Sequence, residues 1–264
     1  MGVVNVTPDS FSDGGQWFDP DDAIAHGFDL LEDGADLLDV GGESTRPGAE
    51  RPPEAEELRR VLPVVAALAG QGAVVSIDTM RATVADRALD AGAAIVNDVS
   101  GGLADPDMAH LVAGRGVDYV AQHWRGHGAG MQRRAEYVDV IVEVRDELLA
   151  RVDALVAAGV APERIIVDPG LGFAKTASHN WSILRHLDVF AGLGHRLLIG
   201  ASRKAFLGSV GRPPGSPRPP LDRDVATAVT TAYAAASHPW GIRVHDVATS
   251  RDALDVATAL EEAQ

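Results

Sequence analysis

The chain has 264 residues, 46% of them hydrophobic, and a formal net charge of −15. That length fits one large domain or two small ones with a substantial core, and so acidic a chain lacks the basic face that a nucleic-acid or anionic-membrane binder needs. The absence of cysteine excludes disulfides, Cys-ligated zinc and thiol catalysis and suits a cytoplasmic address, and no apolar run reaches the roughly 18 residues of a membrane span.

Short apolar runs alternate with longer amphipathic segments. The runs Val3–Val6, Leu37–Val40, Val74–Ile77, Ile95–Val99, Tyr119–Ala121, Ile165–Val167, Leu197–Ile199 and Ile242–Val244 predict eight strands. Helical patterns cover Pro20–Asp33, Pro53–Ala69, Arg81–Ala91, Pro106–Ala113, Tyr137–Ala158, Ser178–Leu187, Asp222–Ala236 and Ser250–Glu262. Asp19-Pro20 and Asp105-Pro106 read as an N-cap followed by proline, and Gly34, Gly92, Gly116 and Gly159 as helix stops. Eight strand–helix units in about 250 residues predict a single (β/α)8 barrel, a TIM barrel, over 1–264. A doubly wound sheet would call for a glycine-rich phosphate loop, and Gly170-Leu171-Gly172 is only a fragment of one.

The connections Thr7–Asp19 and Glu43–Pro53 are longer and more polar than a βα turn requires, so they are expected to be mobile ligand loops. Gly126–Glu136, rich in Gly and Arg, is expected to be mobile, and the Pro-rich Gly211–Pro220 to be an exposed loop without chemistry.

In such a barrel, polar groups at the C-terminal ends of the strands line the active site. Every predicted strand supplies one: Asn5, Asp39, Asp78, Asn97, Gln122 or His123, Asp168, Ser202 with Lys204, and Arg243 with His245. The cations and hydroxyls at the last two strands suit an anion, and the Asp and Asn residues suit a donor-rich polar ring. Each residue also has a structural reading. Asp39 and Glu43 would serve as loop ion pairs, Asp78 as an N-cap and Lys204 as a solvated helix start. Asp98 would brace its own loop, and His123 would pack in a second layer. No His/Asp/Glu set has zinc spacing, and no G-x-S-x-G occurs.

Seven collinear segments carry a resemblance. They are Asn5-Val6-Thr7-Pro8-Asp9-Ser10-Phe11-Ser12-Asp13-Gly14-Gly15, Asp39-Val40-Gly41-Gly42-Glu43-Ser44-Thr45-Arg46-Pro47-Gly48, Ser76-Ile77-Asp78-Thr79, Val96-Asn97-Asp98-Val99-Ser100-Gly101-Gly102, Asp168-Pro169-Gly170-Leu171-Gly172-Phe173-Ala174-Lys175, Gly200-Ala201-Ser202-Arg203-Lys204 and Arg243-Val244-His245-Asp246. Together they resemble the dihydropteroate synthase family across essentially the whole chain. The resemblance implies a (β/α)8 barrel and a transferase of folate biosynthesis, in which 4-aminobenzoate displaces diphosphate from (7,8-dihydropterin-6-yl)methyl diphosphate.

By the same resemblance, Asp78, Asn97, Asp168 and Lys204 hold the pterin. Asn5, Arg243 and His245 hold the diphosphate, with Mg²⁺ beside Asn5. Thr45 and Arg46 reach the diphosphate side from the second loop, and Phe11, Pro47, Phe173 and Ser202 border 4-aminobenzoate. Lys204, Arg243, His245 and Asp78 are the expected catalytic groups. Gln122 stands where some members carry Met against the pterin face. Met1 stands almost on the first strand, where members often carry leader residues, so a trimmed chain or an open barrel floor is expected. A homodimer and inhibition by sulfonamides are further expectations of the resemblance. Two alternatives are a corrinoid-type pterin methyltransferase barrel, which needs no diphosphate clamp, and a silent pterin-binding paralogue. The intact Thr45-Arg46-Pro47, Ser202-Arg203-Lys204 and Arg243-Val244-His245 stand against both.

Overall fold

The computed structural model describes residues 1–7, 19–44, 51–126, 130 and 132–263. Its strands are β1 Gly2–Asn5, β2 Leu38–Gly41, β3 Val75–Asp78, β4 Ile95–Asp98, β5 Asp118–Gln122, β6 Ile165–Asp168, β7 Arg196–Ile199 and β8 Gly241–Ile242. All eight are parallel and lie side by side in chain order. β8 is shorter than its apolar run because Val244 has turned to the first strand. Val3 N donates to Val244 O at 3.0 Å and Val244 N to Met1 O at 2.9 Å, a parallel bridge that closes the ring.

The helices are α1 Pro20–Glu32, α2 Glu54–Gly70, α3 Ala82–Asp90, α4 Met108–Arg115, α5 Val140–Ala157, α6 Ala177–Arg185, α7 Leu187–Ala191, α8 Ala205–Gly208, α9 Asp224–Ala235 and α10 Val247–Glu262. Local chemistry sets their ends. The Asp19 carboxylate accepts from Asp21 N, and Asp139 accepts from Ile141 N and Val142 N, each satisfying amides that the first turn leaves open. Asp246 caps α10 through Thr249 N, which starts that helix three residues before Ser250. Gly34, Gly92 and Gly159 follow their helices with φ of 98°, 112° and 101°, so each stops a helix where a side chain would be strained.

The start of α4 differs from expectation. α4 begins at Met108 behind Asp107, not at Pro106. Asp105 accepts Asp107 N at 3.0 Å with one carboxylate oxygen and Ala82 N at 2.8 Å with the other, so it also caps α3 from the neighbouring unit. Asp78 therefore has no role as that cap. The short helices α7 and α8 carry no periodic signal of their own. No helix among the described residues is long and apolar enough to cross a membrane.

Strand alternation separates two cores. Val4, Val40, Ile77, Val96, Tyr119, Val167 and Ile199 point outward and join the helix residues Val64, Leu148, Leu155 and Phe190. Met1, Ile95, Val120, Ile166 and Leu198 pack as a separate interior layer, with Leu37 and Trp240 against it. The floor of the barrel is thus filled, where an open floor was one expectation. The polar residues one step higher on the same strand faces rest on this plug. Ile166 is fully buried there. Ile166→Ala is expected to lower stability by about 2–5 kcal/mol, read from the urea unfolding midpoint, because the ring of strands cannot collapse onto the space left.

Candidate active site

Register sets which residues face the barrel mouth. Asn5, Gly41, Asp78 and Asn97 are Cα partners across β1 to β4, and Gln122 partners Asp168 across β5 and β6. Partners in a parallel pair share one face. The mouth is therefore lined by alternating acceptors, and the glycines on β2 and after β7 leave space among them. A Cβ added at Gly200 would lie 3.9 Å from both Asp168 Oδ2 and Lys204 Nζ and 3.8 Å from Arg243 Cβ.

Arg243 follows β8 and crosses this space. Its Nε donates to Asp39 Oδ2 at 2.6 Å and its Nη2 to Asp78 Oδ2 at 2.9 Å. Asn97 Nδ2 donates to the same Asp39 oxygen at 2.9 Å. Asp39 is fully buried and Asp78 nearly so, and Asp39 Oδ1 has no hydrogen-bond partner among the described residues. One guanidinium thus serves two buried carboxylates. Burial and the Asp39 charge push Asp78 up to about 8, against the opposing pull of Arg243. Two buried carboxylates facing one guanidinium favour a bound proton in the cluster.

Asp168, Lys204 and Phe173 form the other wall. Burial raises the Asp168 pKa, opposed by Lys204, and burial pulls Lys204 down to about 8, opposed by Asp168. Lys204 heads α8 and is partly buried: its ammonium donates to Leu171 O and stands 4.8 Å from the Phe173 ring centroid. At the rim, His245 N donates to Ser202 Oγ at 3.1 Å, and the same hydroxyl lies 2.9 Å from His245 Nδ1. Ser202 Oγ thus ties both the backbone and the ring of His245 to the end of β7.

Glu43 is an ion-pair residue, as its structural reading held. It receives Arg51 Nε at 2.7 Å, across the two ends of the second long loop. Arg81 ties the same root to Glu57, which also accepts from Thr79 Oγ1. Asp98 braces its loop, accepting from Ser100 N and Oγ, Gly102 N and Tyr119 OH. Phe11, Thr45, Arg46 and Pro47 lie outside the described residues, as do most of both long loops. No three His, Cys, Asp or Glu side chains among the described residues converge on a metal position. Asn5, at the end of β1, offers an amide oxygen.

The pterin-binding enzyme family matches residues 1–245. The dihydropteroate synthase of Mycobacterium leprae is 56% identical over 261 residues, covering 98% of this chain and 92% of the relative. A solved Xanthomonas albilineans dihydropteroate synthase with 4-aminobenzoic acid superposes with a TM-score of 0.90 at 42% identity, covering 99% of this chain and 92% of that one. The Yersinia pestis dihydropteroate synthase in a sulfonamide drug complex superposes with a TM-score of 0.94 at 37% identity, covering 99% of this chain and 94% of that one.

The chain belongs to the dihydropteroate synthase family. Within that family frame, Asp39 is the residue the sequence left undecided, since nothing local shows that it meets Arg243 and Asn97 from strands far along the chain. Lys175 and His123 form a buried contact that no motif announced. The Asp78 result has a direct consequence. An acid whose folded pKa is raised stabilises the fold below its ordinary value and loses that contribution as pH rises to the folded value. Stability should therefore fall between pH 4 and about 8 through Asp78. Asp78→Asn should flatten that fall in denaturant melts at pH 5 and pH 8; an unchanged slope would assign it to other groups.

Proposed function

We propose that this barrel carries out dihydropteroate synthesis, joining 4-aminobenzoate to the methylene of (7,8-dihydropterin-6-yl)methyl diphosphate with release of diphosphate. The observation that carries this reading is the mouth itself. The acceptors Asp78, Asn97 and Asp168 and the donor Lys204 surround a gap kept open by Gly200, with Arg243, Ser202 and His245 beside it. A pterin edge presents an amino group and ring N–H donors, which Asp168 and Asp78 match, and Lys204 donates to the ring carbonyl. Gln122, nearly buried, meets the ring with an amide where other members place a thioether.

When the ring's donors reach Asp78, they replace the Arg243 contact, and Asp78 releases its proton. The freed guanidinium turns to the diphosphate together with the His245 imidazole. These groups, with Thr45 and Arg46 of the second loop, stabilise the charge that grows on the leaving oxygens. The C–O bond breaks, its electron pair leaves with the diphosphate, and the methylene cation is conjugated with the ring. The amine lone pair of 4-aminobenzoate then forms the C–N bond, and the ammonium proton passes to solvent. Phe173 and Ser202 border that amine, with Phe11 and Pro47 from the loops excluding water, which would otherwise capture the cation. No protein base is required.

Mg²⁺ suits this donor set. A cation that keeps several waters and binds substrate phosphates takes only one or two protein oxygens, and Asn5 supplies one at the β1 end. It would neutralise charge on the leaving diphosphate. Sulfonamides, sharing the shape of 4-aminobenzoate, are the expected inhibitors. The chain forms one barrel domain and works in the cytoplasm. A homodimer is supported by an exposed apolar stripe, Val225, Val229 and Tyr233 on α9 beside Val256 and Leu260 on α10.

Mixing the protein with dihydropterin diphosphate, 4-aminobenzoate and Mg²⁺ should yield pteroate and diphosphate; no product would contradict the reading. His245→Ala should weaken the diphosphate substrate by about 1.5–3 kcal/mol while leaving hydroxymethyl dihydropterin unchanged in calorimetry. Val229→Glu with Tyr233→Glu should convert a dimer to a folded monomer by light scattering.

A further inference from the structure

The segment after β6 turns through three left-handed residues, Gly170 at φ 67°, Gly172 at 80° and Ala174 at 46°. Ala174 has a Cβ, so its conformation is strained and persists only if the surroundings impose it. Side chains take the carbonyls of this turn one after another. Lys175 Nζ lies 3.1 Å from Gly170 O and 3.1 Å from Phe173 O. Lys204 donates to Leu171 O, and the Tyr137 hydroxyl donates to Ala174 O at 3.0 Å. Asn180 Oδ1 accepts Gly172 N at 2.7 Å.

Lys175 is 3% exposed, and no carboxylate pairs with it among the described ion pairs. Its third contact is His123 Nδ1 at 2.9 Å. Burial pushes the Lys175 pKa well down, opposed by the Asp168 charge, yet its nitrogen meets three acceptors, and that geometry suits an ammonium with one proton for each. The contact at Nδ1 puts the imidazole proton on Nε2, which donates to Glu147 Oε2 at 2.9 Å. Burial and the Lys175 charge hold the His123 pKa down to about 4, so the ring stays neutral. Glu147 is fixed in turn by Arg125. A chain of contacts therefore runs from the surface through Glu147 and His123 to Lys175 and the turn.

A buried ion without a counter-ion does not favour folding, and an apolar side chain of the same length would fill the space at lower cost. What the ammonium adds is three fixed directions. We propose that Lys175 is a positioning residue: it holds the turn 170–174 so that Phe173 stands against Lys204 and borders the amine substrate, with His123 and Glu147 fixing Lys175. This rests on the reading of the site given above. The larger consequence falls on the 4-aminobenzoate side, where Phe173 stands, because Asp168 sits on β6 itself; the turn meets the pterin side only through Gly170 N on Asp168 Oδ1 at 2.7 Å and Leu171 O on Lys204.

Lys175→Met keeps length and removes the three donors. Two measurements are made on it. Amide hydrogen exchange in the empty protein should rise about tenfold over residues 170–175 and stay unchanged over Ile165–Asp168. The KM for 4-aminobenzoate should rise about tenfold while that for dihydropterin diphosphate stays within about twofold. Unchanged exchange, or equal changes in both KM values, would overturn the proposal. Should the wild-type protein make no dihydropteroate, the functional reading fails, and the exchange result alone decides the clamp. If Lys175→Met does not fold, Glu147→Ala at the exposed end of the chain takes the same two measurements. It should show the same selective changes at about threefold, and no change in it would overturn the proposal.

Discussion

One guanidinium, held between two carboxylates above a sealed apolar plug, organises the mouth of this barrel. Arg243 comes from β8, Asp39 from β2, Asp78 from β3, and Asn97 from β4 joins through Asp39. β2, β3 and β4 are neighbours in the ring, whereas β8 lies far along the chain, and Arg243 reaches them because the ring closes at Gly2 and Val244. The layer of Met1, Ile95, Val120, Ile166 and Leu198 excludes water from below. That raises the cost of every unmatched charge above it. Two carboxylates on one cation leave a surplus negative charge, which together with burial pushes the Asp78 pKa up and favours its protonated form.

The reaction follows from the same constraint. A site that holds acceptors for a flat ring and cations for its leaving group must keep the two sets apart when both are present. In the empty protein they neutralise one another, as Arg243 on Asp78 and Lys204 near Asp168. The substrate separates them, since its donor edge takes the carboxylates and its diphosphate takes the cations. The folding cost of burying these charges is thereby returned in binding, where each group finds the partner of opposite character. Lys175 works on a different axis. It sets a turn, and it does so with a charge that the substrate never meets.

Much of the architecture was legible in the sequence. The eight apolar runs and the glycine stops at Gly34, Gly92 and Gly159 gave the strand–helix order, because both signals depend on neighbours in the chain. The polar strand ends placed Asp78, Asn97, Asp168, Lys204 and Arg243 at the mouth for the same reason. What stayed hidden depends on who faces whom across the ring. Asp39 read equally well as a loop ion pair, until its register beside Ser76 and its contact with Arg243 put it in the cluster. Asp105 accepts from Asp107 ahead of its own helix, as its sequence suggests, but it also serves Ala82 on the previous unit. Lys175 ends one of the seven resemblance segments, but nothing in that segment shows that its side chain turns inward to His123 and the carbonyls of its own turn. The shortness of β8 arises from a bond to Met1, almost the whole chain away.

The central claim is that Asp78 holds a proton in the empty protein and gives it up when a pterin edge replaces Arg243. Calorimetry of hydroxymethyl dihydropterin binding at pH 7, repeated in buffers of different ionisation enthalpy, measures that proton directly. The account predicts net proton release on binding, lost in Asp78→Asn. Binding without a buffer-dependent enthalpy, or with the same release from the variant, would contradict it.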